Sequence, residues 1–498
     1  MRKIIFSLSA AFLTTGLWAQ QNALLDRAFW GNNPSVAEVQ AAIKKGNSPV
    51  EMNNRSFDAI ATAIMADAPM EDIQYLVSLK ETDINTITHD GRTYIFWAAY
   101  KNNLPLVKYL VENGATVNLK DGHGIPLMNF ATYGKVTDVA MYDYLIAKGA
   151  DVQLTTKDGA TVFLLAMQYI QDDSLIKFFE SHGLSSETED ANGNNAMFYA
   201  ARSGNATMLK TLKARGINYK KQNKAGENII LYAAHGTRGG NANLETYEYL
   251  KGLGVPVNTV SAEGDTPLLL AAGNAKDPRV IQFFIDNGIN VNATNKAGDN
   301  ALINAAQRNS YDVVKILADK TKDVNHSNKD DKTALMYAVQ GNDTQTVALL
   351  LDKGAKVSAV DNDGHTLLYY WVNERGARGV KPTPNIEKLQ LLKEHGFDIS
   401  KAEPNGNNLW HLAVEKGSFE LMEMAKESNV AINAKNNEGY TPLLLAAMNA
   451  KNTEILEFLV ANGADTKSTT DFEETAYDLA AENEVLKKNK ASLTFLKK

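Results

Sequence analysis

The feature that most constrains this chain is a period. One position recurs at Ser56, Gly91, Gly124, Gly159, Gly193, Gly226, Gly264, Gly298, Asp331, Gly364, Gly406, Gly439 and Glu473, at spacings of 35, 33, 35, 34, 33, 38, 34, 33, 33, 42, 33 and 34 residues. Ten of these thirteen anchors are glycine. Self-similarity of this kind replaces the three or four separate domains that 498 residues would otherwise suggest with an array of small stacked units.

Each unit carries the same local signals. Two residues after the anchor stands Asp58, then Thr at 93, 161, 266, 333, 366, 441 and 475, or Asn at 195, 228, 300 and 408, with Pro126 as the exception. Side-chain oxygens of these types accept hydrogen bonds from the free N–H groups of a helix's first turn, so a helix is expected to start there. Pro267 and Pro442 occupy the first helical position, where the missing N–H removes no bond. Seven residues after the anchor is Ala in twelve of thirteen units, small enough for two helices to pack closely. A second apolar-periodic segment follows, such as Ile455-Leu456-Glu457-Phe458-Leu459-Val460, and usually stops at a glycine: 114, 149, 183, 216, 254, 288, 354, 396 or 463. With one more helix pair before Ser56, the array comes to about fourteen helix–turn–helix–loop units.

Gly439 followed by Thr441-Pro442-Leu443-Leu444-Leu445-Ala446-Ala447, and later Gly463-Ala464-Asp465, resembles the ankyrin repeat. Thr266-Pro267-Leu268-Leu269-Leu270-Ala271-Ala272 repeats the motif, and Asn408-Leu409-Trp410-His411-Leu412-Ala413 keeps a histidine in it. The tetratricopeptide repeat has a similar length but needs Trp and Tyr at fixed offsets that do not recur here. The resemblance covers the chain beyond its first nineteen residues and implies an all-α ankyrin-repeat solenoid. The implied segments are an N-terminal capping pair at 20–55, repeats at 56–470 and a C-terminal capping unit at 471–498. It also implies a protein partner held by the loop tips and by the exposed face of each first helix.

Composition narrows the chemistry. With 44% apolar and 22% charged residues the chain is not disordered, and a net charge of -7 gives no general attraction to nucleic acid phosphates. Zero cysteines exclude disulfides, thiolate metal sites and a cysteine nucleophile. No phosphate-binding loop, HExxH or GxSxG motif is present. The expectation is therefore a non-enzymatic protein with no catalytic residue, no cofactor and no metal. His89 and His123 fall on loops of neighbouring units, where a shared weak metal site competes with the plainer reading of two solvated histidines. Asp361-Asn362-Asp363-Gly364 looks like the start of a calcium loop, but Val372 stands where the closing Glu belongs, so an ordinary turn is expected. The Asp and Asn residues before the other anchors are read the same way.

Nine residues after each anchor, the first half of the array offers Tyr100, Tyr133, Arg202 and His235. Tyr169 lies one residue beyond the same position, and Phe57 and Arg92 stand at the loop edge. Tyr, Arg and other large side chains are enriched at binding hot spots, so these seven residues are the candidate partner-binding face. The alternative is a small-molecule or glycan site around Tyr369, Tyr370 and Trp371, where Trp371 replaces the recurrent Ala. A basic insertion with Arg375 and Arg378 follows. A bulky ring there should part the helices, with the long loop covering the opening. The smaller insertion at 236–243 is read as a tolerated loop.

At the N-terminus, Arg2 and Lys3 precede a mostly apolar run over 4–17 and then Leu17-Trp18-Ala19, the pattern of a cleavable export signal at 1–19. The run is too short to span a bilayer comfortably, so a periplasmic or secreted protein without a membrane anchor is expected. Intact mass measurement of protein recovered from the cell envelope or medium should find a chain beginning at Gln20. Retention of Met1 on most molecules would contradict this.

Overall fold

The computed structural model describes residues 22–237, 240–376 and 384–497. The export segment and Arg378 lie outside the described residues.

All thirteen anchors adopt positive φ, between +56° at Asp331 and +85° at Gly264, the left-handed region that favours glycine. A second constraint adds to this preference: a Cβ at Gly298 would stand 2.9 Å from the Lys329 nitrogen, and one at Gly406 would stand 2.7 Å from that of Asn437. Those nitrogens belong to the following repeat. They donate to the carbonyl just before the anchor, Lys329 N to Ala297 O at 2.9 Å and Asn437 N to Asn405 O at 3.0 Å. The same turn-to-turn bond joins Gly122 to Asp90 and Ala191 to Asp158 further up the chain, and Ala262 to Ala225, Lys296 to Glu263 and Asn362 to Asp330 further down. Most turns are also clamped from within by the side chain three residues before the anchor; Glu403 instead reaches back to Thr366 and Tyr369 of the preceding repeat. Asn295 Oδ1 accepts from the N–H groups of Ala297 and Asp299, and Asn328 and Asp361 hold their own turns likewise. The polar residues before the anchors thus serve turn geometry, as expected.

Among the described residues the regular structure is twenty-eight α-helices and three 3₁₀ turns, with isolated bridges but no strand. The helices form fourteen consecutive pairs, from Arg27–Gly31 with Val36–Lys44 to Ala476–Glu482 with Glu484–Lys488. The expected caps are in place: Asp58, Thr161, Asn228, Thr266, Asn300, Thr333, Asn408, Thr441 and Thr475 accept backbone hydrogen bonds at their helix starts. Thr93 differs. It occupies the cap position of Tyr94–Tyr100, but its hydroxyl makes no cap bond and is buried without a partner.

The second helix of a pair stops two residues before its glycine, as Leu104–Glu112 does before Gly114, which takes φ +97°. Ala115 N then bonds back to Leu110 O at 2.9 Å, closing the helix with its last carbonyls satisfied. The recurrent alanines are buried to the last atom or nearly so; Ala98, Ala131, Ala233, Ala305 and Ala413 have no exposed surface. They line the seam between first helices of successive repeats, where a larger side chain would hold the helices apart.

Two compact units divide the chain. The first runs to Tyr199 and takes in Lys210–Ile217; the second comprises Ala200–Leu209 and the chain from Asn218 onward. Within each, helix pairs stack on their sequence neighbours as in a solenoid, so the core is a ribbon of apolar side chains between helix layers. No helix among the described residues is long and apolar enough to cross a membrane.

Replacing Gly298 by Ala should cost more stability than replacing Gly354 by Ala. Both substitutions force a left-handed alanine, about 1 kcal/mol. Gly354 has nothing within 4 Å of the added methyl, whereas at Gly298 it displaces the neighbouring turn. The Gly298 variant should therefore lose roughly a further 1 kcal/mol with the inter-repeat hydrogen bond, measurable as a difference in urea midpoint.

Candidate functional site

Three consecutive repeats of the first compact unit place four of the seven predicted residues in one aromatic cluster. The helices Tyr94–Tyr100 and Leu127–Tyr133 begin at Thr93 and Pro126, so Trp97 and Phe130 come at the same height on adjacent helices. Their rings meet edge to face at 5.7 Å. Phe57 leans on Trp97 at 5.2 Å and stacks on His89 at 5.0 Å, while Tyr100 and Tyr133 flank Phe130 at 5.5 and 6.1 Å. Contacts of this geometry contribute about 0.5–1.5 kcal/mol each beyond burial. Trp97 and Phe130 are themselves buried, Tyr133 is 40% exposed, and Phe57 and Tyr100 are half-buried. The cluster therefore has a fixed floor and an accessible edge.

Arg92 is corrected from an exposed contact to a buried brace. Only 8% of the residue is accessible. Its guanidinium lies 4.2 Å above the Phe130 ring, donates from Nε and Nη2 to Asp121 at 2.9 and 2.8 Å, and donates from Nη1 to Asp90 at 2.9 Å. Burial disfavours the Asp90 charge, but His89, Arg92 and His123 outweigh it and hold the carboxyl below its usual range. The sequence spacing put Arg92 one residue from the anchor but could not show that Asp121, twenty-nine residues later, reaches back to it. Tyr169, half-buried in the same unit, has the Lys135 ammonium 5.8 Å from its ring.

Arg202 and His235 belong to the second compact unit, and both engage Tyr232. Arg202 donates to Gly236 O at 2.7 Å with its guanidinium 5.4 Å from the Tyr232 ring. His235 Nε2 is 2.7 Å from Glu227 Oε1, with its imidazole 5.8 Å from the same ring. Neither is fully exposed.

Reading nine residues after the anchor missed a second aromatic position, six after it, at Trp97, Phe130, Tyr199, Tyr232, Tyr337 and Tyr370. Several of these reach back to the polar side chain that clamps their own turn: Trp97 Nε1 donates to Thr88 Oγ1 at 2.8 Å, Tyr199 OH to Asp190 at 2.9 Å and Tyr370 OH to Asp361 at 2.6 Å. The signal is in the sequence as a nine-residue separation between a polar and an aromatic residue.

The alternative ligand site does not present its rings. Trp371 is fully buried, with Nε1 donating to Asn385 O at 2.8 Å, and Tyr370 is 3% exposed. Only Tyr369, stacked on His365 at 3.7 Å, and the exposed Arg375 face outward. Lys388 is buried beside the inserted segment and bonds to Glu374 and to Val339 O, and a groove lined by Thr344, Ala348, Ile386 and Leu391 opens between the second helices of the two repeats. Among the described residues, Asp361, Asp363 and His365 also bring three possible metal ligands within 4.8 Å. Asp361 is already committed there: Oδ1 takes two backbone N–H groups and Oδ2 takes Tyr370 OH.

Comparison with known proteins accounts for the array from residue 27 to residue 470. The family described as ankyrin repeats in three copies matches residues 27–121, 127–223, 230–328, 322–381 and 380–470. Similar proteins include the palmitoyltransferase AKR1 of Lachancea kluyveri, 26% identical over 206 residues, which is 39% of this chain and 27% of that protein. The ankyrin repeat and SAM domain-containing protein 6 of Rattus norvegicus is 36% identical over 102 residues, 20% of this chain and 11% of that one. The putative ankyrin repeat protein L371 of Acanthamoeba polyphaga mimivirus is 24% identical over 255 residues, 48% of this chain and 31% of that protein. The matched stretch thus spans less than a third of each relative's length.

Arg92→Ala should destabilise the protein by about 3 kcal/mol, because it strips the partner from the wholly buried Asp121 carboxylate. Tyr133→Ala should cost only about 1 kcal/mol, the worth of its edge contact with Phe130. Parallel urea denaturation of the two variants checks the assignment of floor and edge.

Proposed function

The chain belongs to the ankyrin-repeat family, and from that footing we propose that it is a non-enzymatic protein–protein interaction scaffold, exported to the periplasm or beyond, that holds a protein partner against the aromatic face of its first compact unit. Ankyrin repeats suggest protein partners, and the fold hosts many different ones, so the residues at the site must carry the choice. The observation that carries it is the aromatic edge formed by Phe57, Tyr100 and Tyr133 over the Trp97 and Phe130 floor. Rings held this way are rigid before a partner arrives, so little side-chain entropy is lost on binding. The export signal at 1–19 supports the compartment. The relatives named palmitoyltransferase match over a minor part of their length, and no enzymatic role is carried over from them.

The experiment uses the mature chain as bait in envelope extract, beside a Tyr100→Ala, Tyr133→Ala double variant. The partner should bind the variant more weakly by about 2 kcal/mol, roughly thirtyfold, while the variant, though it loses two ring contacts on Phe130, stays folded by circular dichroism. Equal capture by the folded double variant would put the binding surface elsewhere.

A further inference from the structure

The second helices carry a pattern of their own. Each has a buried residue near its end, Leu110 in Leu104–Glu112 and Leu350 in Thr344–Asp352, whose carbonyl closes the helix. Two positions before it, on the outward side, the array from Gln74 to Glu457 carries Gln, Lys, Asp or Glu in every repeat but one. The exception is Ala348; its counterparts on either side are Lys315 and Gln390.

Where that side chain is missing, a groove of about 540 Å³ opens between the helices Thr344–Asp352 and Ile386–Glu394. Ala348 and Leu391 line it, and Ile386 leaves 53% of its surface exposed beside them. Its charged members are two carboxylates, Glu387 and Glu394, with no lysine or arginine among the described residues that line it. They stand seven residues apart on one helix, two turns, roughly 10 Å along its axis. Gln390 donates to Glu394 Oε1 at 3.1 Å, and among the described residues neither carboxylate is ion-paired.

A trough between two neighbouring helices accepts the ridge of a third, with apolar side chains at i, i+3, i+4 and i+7 entering it. The heptad spacing of Glu387 and Glu394 is matched by basic residues one heptad apart on such a helix, the pairing that fixes register in coiled coils. We propose that this groove docks an amphipathic helix of a protein partner, with an apolar stripe flanked by lysine or arginine one heptad apart. The site belongs to the second helices of the second compact unit and stands whether or not a partner binds the aromatic face of the first.

Fluorescence anisotropy tests it, with the full chain titrated into a labelled synthetic helix of about fifteen residues, leucines on one face and lysines flanking them. A second peptide carries glutamates in place of the lysines. The lysine peptide should bind saturably, and Ala348→Gln, which supplies the side chain that Gln74, Gln282 and Gln390 bring elsewhere, should weaken it about tenfold or more. The Glu387→Gln, Glu394→Gln double variant should weaken it at low salt and lose most of the preference between the two peptides. Tyr133→Ala should bind as the wild type does. These changes lie on outward positions, and unchanged circular dichroism would show that the variants fold. No saturable binding, equal binding of the glutamate peptide, or binding indifferent to Ala348→Gln would overturn the proposal. So would a dimer of the chain that Ala348→Gln dissociates, because the groove would then belong to a second copy.

Discussion

A left-handed residue at the same point of every repeat is the constraint on which the rest depends. It turns the chain so that the preceding carbonyl faces the N–H of the next turn, and at positions such as Gly298 the absence of a side chain is what lets the two backbones meet. Where that contact forms, it helps set the first helices of the two repeats at a common height, so that the small alanines oppose one another and the aromatic side chains six residues after the anchor share a surface. Ser56, Asp331 and Glu473 show that the conformation, and not glycine itself, is required.

That constraint explains what was readable in the sequence. Caps, helix ends and the alanine seam each follow from residues a few positions apart, so a fixed period exposes them. The reach of a side chain across repeats is different in kind. Nothing local marks Arg92 as buried: its burial comes from Asp121, Asp90 and the Phe130 ring meeting around it. The same applies to His89 and His123, two loop histidines of different repeats whose rings both come beside the Asp90 carboxylate. Trp371 was recognised as a disruption, but the sequence alone did not show that its ring would be absorbed inward, bonded to Asn385, so that the candidate ligand site loses two of its three rings.

The two compact units put similar side chains to different uses. In the first, aromatic residues pack on one another and leave an edge exposed. In the second, Tyr232 serves as a common platform for Arg202 and His235, and their polar atoms are directed to Gly236 and Glu227. Residue type places Arg202 and Tyr133 together as candidate contacts; the structure separates them, because the Arg202 guanidinium is engaged within the fold and Tyr133 keeps 40% of its surface accessible.

Repeat arrays are commonly pictured as interchangeable cassettes. The buried ammonium of Lys388 places a limit on that picture here. It is satisfied by Glu374 from the inserted segment and by the main chain of Val339 in the preceding repeat. These residues form a set that must be inherited together. A recombination crossover between positions 374 and 388 that brought in a neighbour's second helix would strand a carboxylate, and the reciprocal product would strand an ammonium. The lineage of this repeat should therefore carry fewer exchanges than those on either side of it, even though nothing in its period announces the barrier.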